Sequence, residues 1–142
     1  MPVVPIQETS AGIDFSQRVQ VSTTVAGSPA AATETIIAQL TLQGDVSVQR
    51  SVILRGWAAF TVGTSGTAVQ LRIRQTNVSG TVKGDSGALT GGVAAGNLLV
   101  ESVAGVDTSP ANTGQVYVLT MQVTNGAAAS TVSAVEFDAI EV

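Results

Sequence analysis

The chain has no histidine and no cysteine among its 142 residues, and Lys83 is its single lysine. Those residue types supply most general bases, soft metal ligands and covalent nucleophiles, so an enzyme is the least favoured class and no catalytic or metal-binding residue is assigned. Aromatic residues are scarce at 4%, which leaves the core to Val, Leu, Ile and Ala and leaves little stacking surface for a carbohydrate enzyme. Charge is scarce as well, at 11% of residues against about 25% in an ordinary soluble domain. A small domain with so little charge either covers itself with Thr, Ser, Gln and Gly or hides surface on another subunit, and the second reading predicts an oligomer. No apolar run approaches the ~20 residues of a bilayer span, and residues 1–5 lack the basic and apolar regions of a signal peptide.

What is present points to β-structure that binds or builds. Hydrophobic residues at 44% are enough for one packed domain. The net charge of −4 argues against nucleic acid, whose phosphates need a basic face. The distribution is uneven: residues 1–83 hold all six basic groups, whereas 84–142 hold Asp85, Glu101, Asp107, Glu136, Asp138 and Glu141 and no base. Such halves pair within one domain or between neighbouring protomers, or the acids serve solubility alone.

Residues 1–17 read as an extended arm, because Pro2 and Pro5 disfavour helix and Val3, Val4 and Ile6 have no apolar partners nearby in sequence. An arm of this kind either packs on its own domain or lies on a partner. From Arg18 onward the apolar residues recur with period two, the mark of strands. In 35–43, Ile36, Ala38, Leu40 and Leu42 are expected to face inward. Gly44-Asp45 reads as a turn. Val46, Val48, Val52, Leu54, Ala58, Phe60 and Val62 then keep one parity, with Arg50 and Gly56 as candidate bulges. Gly63, Thr64, Ser65 and Gly66 read as the loop of a hairpin over 60–74, with Val69, Leu71 and Ile73 inward. Residues 77–97 read as a long loop with a short strand at 81–83, followed by a strand over 98–103. The strand 115–124 is apolar on both faces, so a subunit interface is expected to cover one of them through Tyr117, Leu119 and Met121. Asn125-Gly126 turns the chain into a closing strand with Val135, Phe137 and Ala139 inward. Eight or nine short strands without a helix predict an all-β antiparallel sandwich or jelly roll over 18–142.

Gly84-Asp85-Ser86-Gly87 matches the sequence around a serine-protease nucleophile, but that serine needs an imidazole and the chain has none; a Ser86–Lys83 dyad is the fallback and a glycine-rich turn the plainer reading. Glu136 and Asp138 share a strand face. They read as inter-strand or inter-subunit ion-pair partners of Arg72 and Arg74, which have the same spacing, or as solvated charges. Asp85 and Asp107 lie in polar stretches but form no dense calcium-loop pattern. Asn77-Val78-Ser79 has the pattern of a glycosylation acceptor. Trp57 falls on the outward parity with Ile53, as a contact hot spot or as a ring covered by a second sheet or the arm.

The segment from Val52 through Trp57 and Phe60 to Gly63, running on through Ala68-Val69-Gln70-Leu71-Arg72-Ile73-Arg74, resembles small structural proteins of tailed phages. So does the ending from Tyr117 to Thr124 with its small-residue turn and closing strand. These stretches are similar to capsid decoration (cement) proteins and other trimeric jelly-roll virion modules, related in shape to tumour-necrosis-factor-like trimers. The resemblance implies a homotrimer without cofactor that sits on the outer capsid surface and straps major capsid protein subunits. It also implies that residues 1–17, with Pro2, Val3, Val4, Pro5 and Ile6, reach onto that partner. A trimeric receptor-binding or tail-fibre head module that takes a host glycan near 83–97 is the alternative.

Overall fold

Among the described residues, period-two alternation becomes eight strands: β1 (Arg18–Thr23), β2 (Glu34–Thr41), β3 (Val52–Thr61), β4 (Ala68–Gln75), β5 (Val82–Asp85), β6 (Leu98–Asp107), β7 (Val116–Thr124) and β8 (Thr131–Glu141). The structure, a computed structural model, describes residues 18–23, 33–42, 51–63, 68–89, 94–111, 114–124 and 130–142. The expected arm, the turns at Gly44-Asp45 and Asn125-Gly126, the stretch through Val46, Val48 and Arg50, and Thr64 to Gly66 lie outside the described residues.

All pairings are antiparallel, and the strand order is β1-β8-β3-β6-β5-β4-β7-β2. The ribbon divides where β5 meets β6 through the single pair Gly84↔Gly105. That leaves two four-stranded sheets, β1-β8-β3-β6 and β2-β7-β4-β5, folded onto each other so that β2 packs on β8 and β4 on β6. The chain changes sheet at every connection except β4–β5, which is the winding of a jelly roll. Among the described residues there is no helix.

The core lies between the sheets. Leu54, Phe60, Leu71, Ile73, Tyr117, Leu119, Met121 and Phe137 are fully buried, with Val69, Val135 and Ala139 among them, so the inward parities of β3, β4, β7 and β8 follow the sequence. Gly84 and Gly105 make the seam possible. A Cβ on Gly84 would stand 2.5 Å from the Ala104 carbonyl oxygen, and one on Gly105 would overlap the Lys83 carbonyl.

Several expectations are corrected. The hairpin over 60–74 does not exist: β3 pairs with β8 and β6, and β4 with β5 and β7, so the two strands belong to opposite sheets. Consecutive apolar strands satisfy the same core equally well by facing each other across it. The hairpin is instead β4–β5, whose turn holds Thr76 at φ 71°, and the short strand expected at 81–83 is β5 at Val82–Asp85. The strand expected over 98–103 continues to Asp107. Gly56 is not a bulge, since its pairing with Val103 and Phe137 is in register. It is small because Leu119 packs over it, with both methyls 2.9 Å from where a Cβ would be. A register shift between Ile36 and Ala38 turns Ile36 outward and puts Ile37 in the core.

Candidate interaction surface

The two sheets present unlike outer faces. On β2-β7-β4-β5, charges neutralise one another. Arg72 donates to Glu34 Oε2 (3.1 Å), Gln122 Oε1 (2.7 Å) and Asp85 Oδ2 (3.1 Å), and Arg74 donates to Glu34 Oε2 (2.8 Å) and the Gly80 carbonyl (3.0 Å). The Thr120 hydroxyl donates to Glu34 as well. Burial raises the Glu34 carboxyl, but the Arg74 and Thr120 hydrogen bonds and the two guanidinium charges outweigh it and hold the group below its ordinary value.

This ladder answers the doubly apolar β7. Val118 and Thr120 are fully buried within the single chain. Val118 lies between Gln39 and Arg74, and Thr120 between Ile36 and Arg72, so long polar side chains of the flanking strands lie beside the outer row. Tyr117, Leu119 and Met121, expected at a subunit interface, are instead core residues of their own domain with no accessible surface. The expectation failed because periodicity shows that both faces are apolar but not which neighbours cover them.

At the seam between the sheets stands a buried cluster. Asp107, 1% exposed, accepts from Lys83 Nζ (2.9 Å), the Ser109 N–H (3.1 Å) and the Tyr117 hydroxyl (2.8 Å). Burial raises the Asp107 carboxyl, and these donors more than offset that, so it sits below its ordinary range. Burial and the adjoining carboxylate push Tyr117 far upward. Lys83 is thereby committed to Asp107, while Ser86 Oγ accepts from the Leu71 N–H and donates to the Gly87 carbonyl. The fallback dyad is not assembled. Asn77 Oδ1 accepts from the Ser79 N–H in the β4–β5 turn.

The outer face of β8-β3-β6 is different. Trp57, half-buried and opposite Ser102 and Glu136, donates its indole N–H to Glu136 Oε2 (3.1 Å). Arg55, opposite Ala104 and Asp138, forks onto Asp138 at 3.2 and 2.7 Å. The hydrogen bond to Asp138 and its charge raise the Arg55 guanidinium. Between these rows lies a groove of roughly 440 Å³ lined by Arg55, Trp57, Ser102, Ala104, Glu136 and Asp138 among others. Beside it runs the outward row of β6: Leu98 (64% exposed), Val100 (65%), Ser102, Ala104 and Val106 (53%), with Ile53 across from Val106. Among the described side chains this is an exposed strand row without a charge.

The four charged residues singled out from spacing do make inter-strand contacts, but not with each other. Arg72 and Arg74 bind Glu34 on the other side of β7, and Glu136 and Asp138 meet Trp57 and Arg55, because β4 and β8 lie in opposite sheets. The uneven halves of the chain pair within the domain, through Arg55–Asp138, Arg72–Asp85 and Lys83–Asp107. Sequence reasoning missed Arg55, whose shared parity with Trp57 was the available signal, and Glu34 and the Lys83–Asp107 pair, for which spacing carries none.

No protein-family model and no curated protein matches this chain. Solved structures do. The chain is similar to a protein of the T13 particle of infectious bursal disease virus with TM-score 0.62 and 11% identity, over 99% of this chain and 36% of that one. It is similar to the VP2 subviral particle of the same virus with TM-score 0.56 and 15% identity, over 99% and 37%, and to its Gx strain with TM-score 0.55 and 14% identity, over 87% and 32%. The likeness is one of fold. The chain spans about a third of the length of those viral chains.

Proposed function

We propose that this chain is a virion structural protein: a homotrimeric decoration module that binds the outside of a tailed-phage capsid and stabilises the shell by strapping major capsid subunits. The observation that carries the reading is the strand order, two four-stranded sheets wound as a jelly roll, with a fold like that of proteins of infectious bursal disease virus particles. Supporting it are an uncharged exposed row on β6 beside a paired tryptophan and a chain without histidine or cysteine, since this work needs no titrating side chain. The arm of residues 1–17, with Pro2, Val3, Val4, Pro5 and Ile6, is the segment that lies on the capsid and spreads apolar contact over neighbouring subunits. Three arms on one trimer raise avidity by ~10²–10⁴ over a single arm.

The test is co-sedimentation of the purified chain with undecorated capsids of its phage, with capsid melting followed by calorimetry. The full chain is expected to pellet with capsids and raise their melting temperature, and a version lacking residues 1–17 to lose most of that binding. A full chain that stays in the supernatant at all concentrations refutes the proposal. The groove beside Trp57 favours a second reading, a receptor-binding module that takes a host glycan there; binding to a glycan array that Trp57→Ala abolishes is its signature.

A further inference from the structure

Rotational symmetry constrains which residues line an axis. A side chain near the axis meets copies of itself, so a charge placed there faces like charges at close range. Surfaces that meet about an axis are therefore uncharged or internally neutralised. The outer face of β3 and β6 has both properties. Leu98, Val100, Ser102, Ala104 and Val106 carry no charge, Arg55 beside them is matched by Asp138 at 2.7 Å, and Glu136 on β8 is held by the Trp57 indole N–H at 3.1 Å. The opposite outer face also neutralises its charges internally, but it has no uncharged exposed row to match that of β6, because Glu34, Arg72, Arg74 and Asp85 are closely spaced on it.

We infer that the outer face of β3 and β6 is where copies of this chain meet about their symmetry axis, with apolar side chains of a neighbour's β6 seated in the groove beside Trp57. Shape supports the occupant. The indole stands next to the small residues Ser102 and Ala104, and this step in height forms the groove of roughly 440 Å³; Leu98, Val100 and Val106 on the same strand are the protruding side chains that fill such a hollow. Size supports it too. The three strands β8, β3 and β6, at about 4.8 Å spacing and about 33 Å long, give roughly 480 Å² of flat sheet, more than half of the ~800 Å² per partner of a specific interface before side-chain relief is counted. A like copy also accounts for the low charge of the whole chain, because the uncharged row is then not solvent-exposed. The inference rests on the oligomeric virion reading and names the surface through which the oligomer forms.

The experiment is light scattering after size exclusion on the full chain and on Val100→Glu, Ala104→Glu and, as a control in the β4–β5 turn, Val78→Glu. The expected masses are about 43 kDa, three times 14.3 kDa, for the full chain and the control, and 14.3 kDa for the two β6 variants. Thermal melts of the monomeric variants keep a cooperative β-sheet transition, so loss of assembly is not loss of fold. Because the chain has no cysteine, Ser102→Cys adds a single thiol, and a short bis-maleimide is expected to link protomers through it and not through Val78→Cys. A monomeric full chain, or a Val100→Glu protein that keeps the wild-type mass, overturns the inference. Capsid co-sedimentation in parallel separates the two claims. A trimer that does not bind capsids refutes the virion reading and leaves the interface standing; a monomer that binds capsids does the reverse.

Discussion

Replacing Asp107 by asparagine tests the buried cluster at the seam, where one carboxylate holds together a cation, a backbone amide and a core phenol. The side chain is 1% exposed and accepts from Lys83, Ser109 and Tyr117. Asparagine keeps the volume and one acceptor oxygen, but it faces the other donors with an NH2 group and leaves the Lys83 ammonium, 19% exposed, without a counter-charge. Losing about one charge-assisted hydrogen bond and the ion pair gives a destabilisation of about 2–4 kcal/mol, below the full ~3–5 kcal/mol for breaking a deeply buried pair because water reaches Lys83. For a domain near this size that lowers the melting temperature by roughly 8–16 °C, measured by calorimetry at pH 7 and fixed protomer concentration. The difference also depends on pH with a defined sign. The folded carboxyl lies below its ordinary value of 3.8, so it binds protons less readily than in the unfolded chain. Its contribution is complete above pH 3.8 and fades as the pH falls through the lower folded value, and the gap between wild type and variant narrows there. Lys83→Met combined with Asp107→Asn removes the stranded cation and is expected to be less destabilised than the sum of the single variants. An Asp107→Asn protein within about 0.5 kcal/mol of wild type, or strictly additive single variants, refutes this account of the cluster.

Gly105→Ala places a methyl against the Lys83 carbonyl at the junction of β5 and β6; a loss of about 2 kcal/mol or more in urea denaturation is expected, with exchange of the β5 amides rising first. Gly56→Ala pushes on Leu119 and is expected to cost about 1–3 kcal/mol, part of which Leu119→Val restores by vacating the space. Phe60→Ala empties a fully buried site and is expected to cost about 3–5 kcal/mol with an unchanged strand content by circular dichroism. The Glu34, Asp85 and Asp107 carboxyls all lie below their ordinary values of 4.5, 3.8 and 3.8. Stability is therefore expected to be flat above about pH 5 and to fall as acid protonates them, and Glu34→Gln removes part of that slope.

The sequence by itself determined which residues form strands and which side of most strands faces inward. Leu71 and Ile73 alternate with Gln70, Arg72 and Arg74, and Phe137 with Glu136 and Asp138, and a buried face selects one parity because a shift by a single residue would turn every side chain over. It also determined the class, since a chain of short Val- and Thr-rich strands without a helix pattern has few ways to enclose a core. Local pattern misjudged Ile36, where one extra residue in the strand reverses the parity, and Gly56, where the small residue answers to Leu119 from the other sheet.

Strand order and partners were decided by the tertiary structure alone. β3 and β4 follow one another in sequence and lie in opposite sheets, so the outward charges of β4 meet Glu34 on β2, and Arg55 on β3 meets Asp138 on β8. The same arrangement buries both faces of β7 within one chain and leaves the outer row of β6 exposed, which takes Tyr117, Leu119 and Met121 out of the contact surface expected from the sequence and leaves Trp57, the fourth residue expected there, beside the β6 row. The physical reason is that alternation records burial, which is a property of one residue. A contact is a property of two residues far apart in the chain, and it exists only after the sheets have closed.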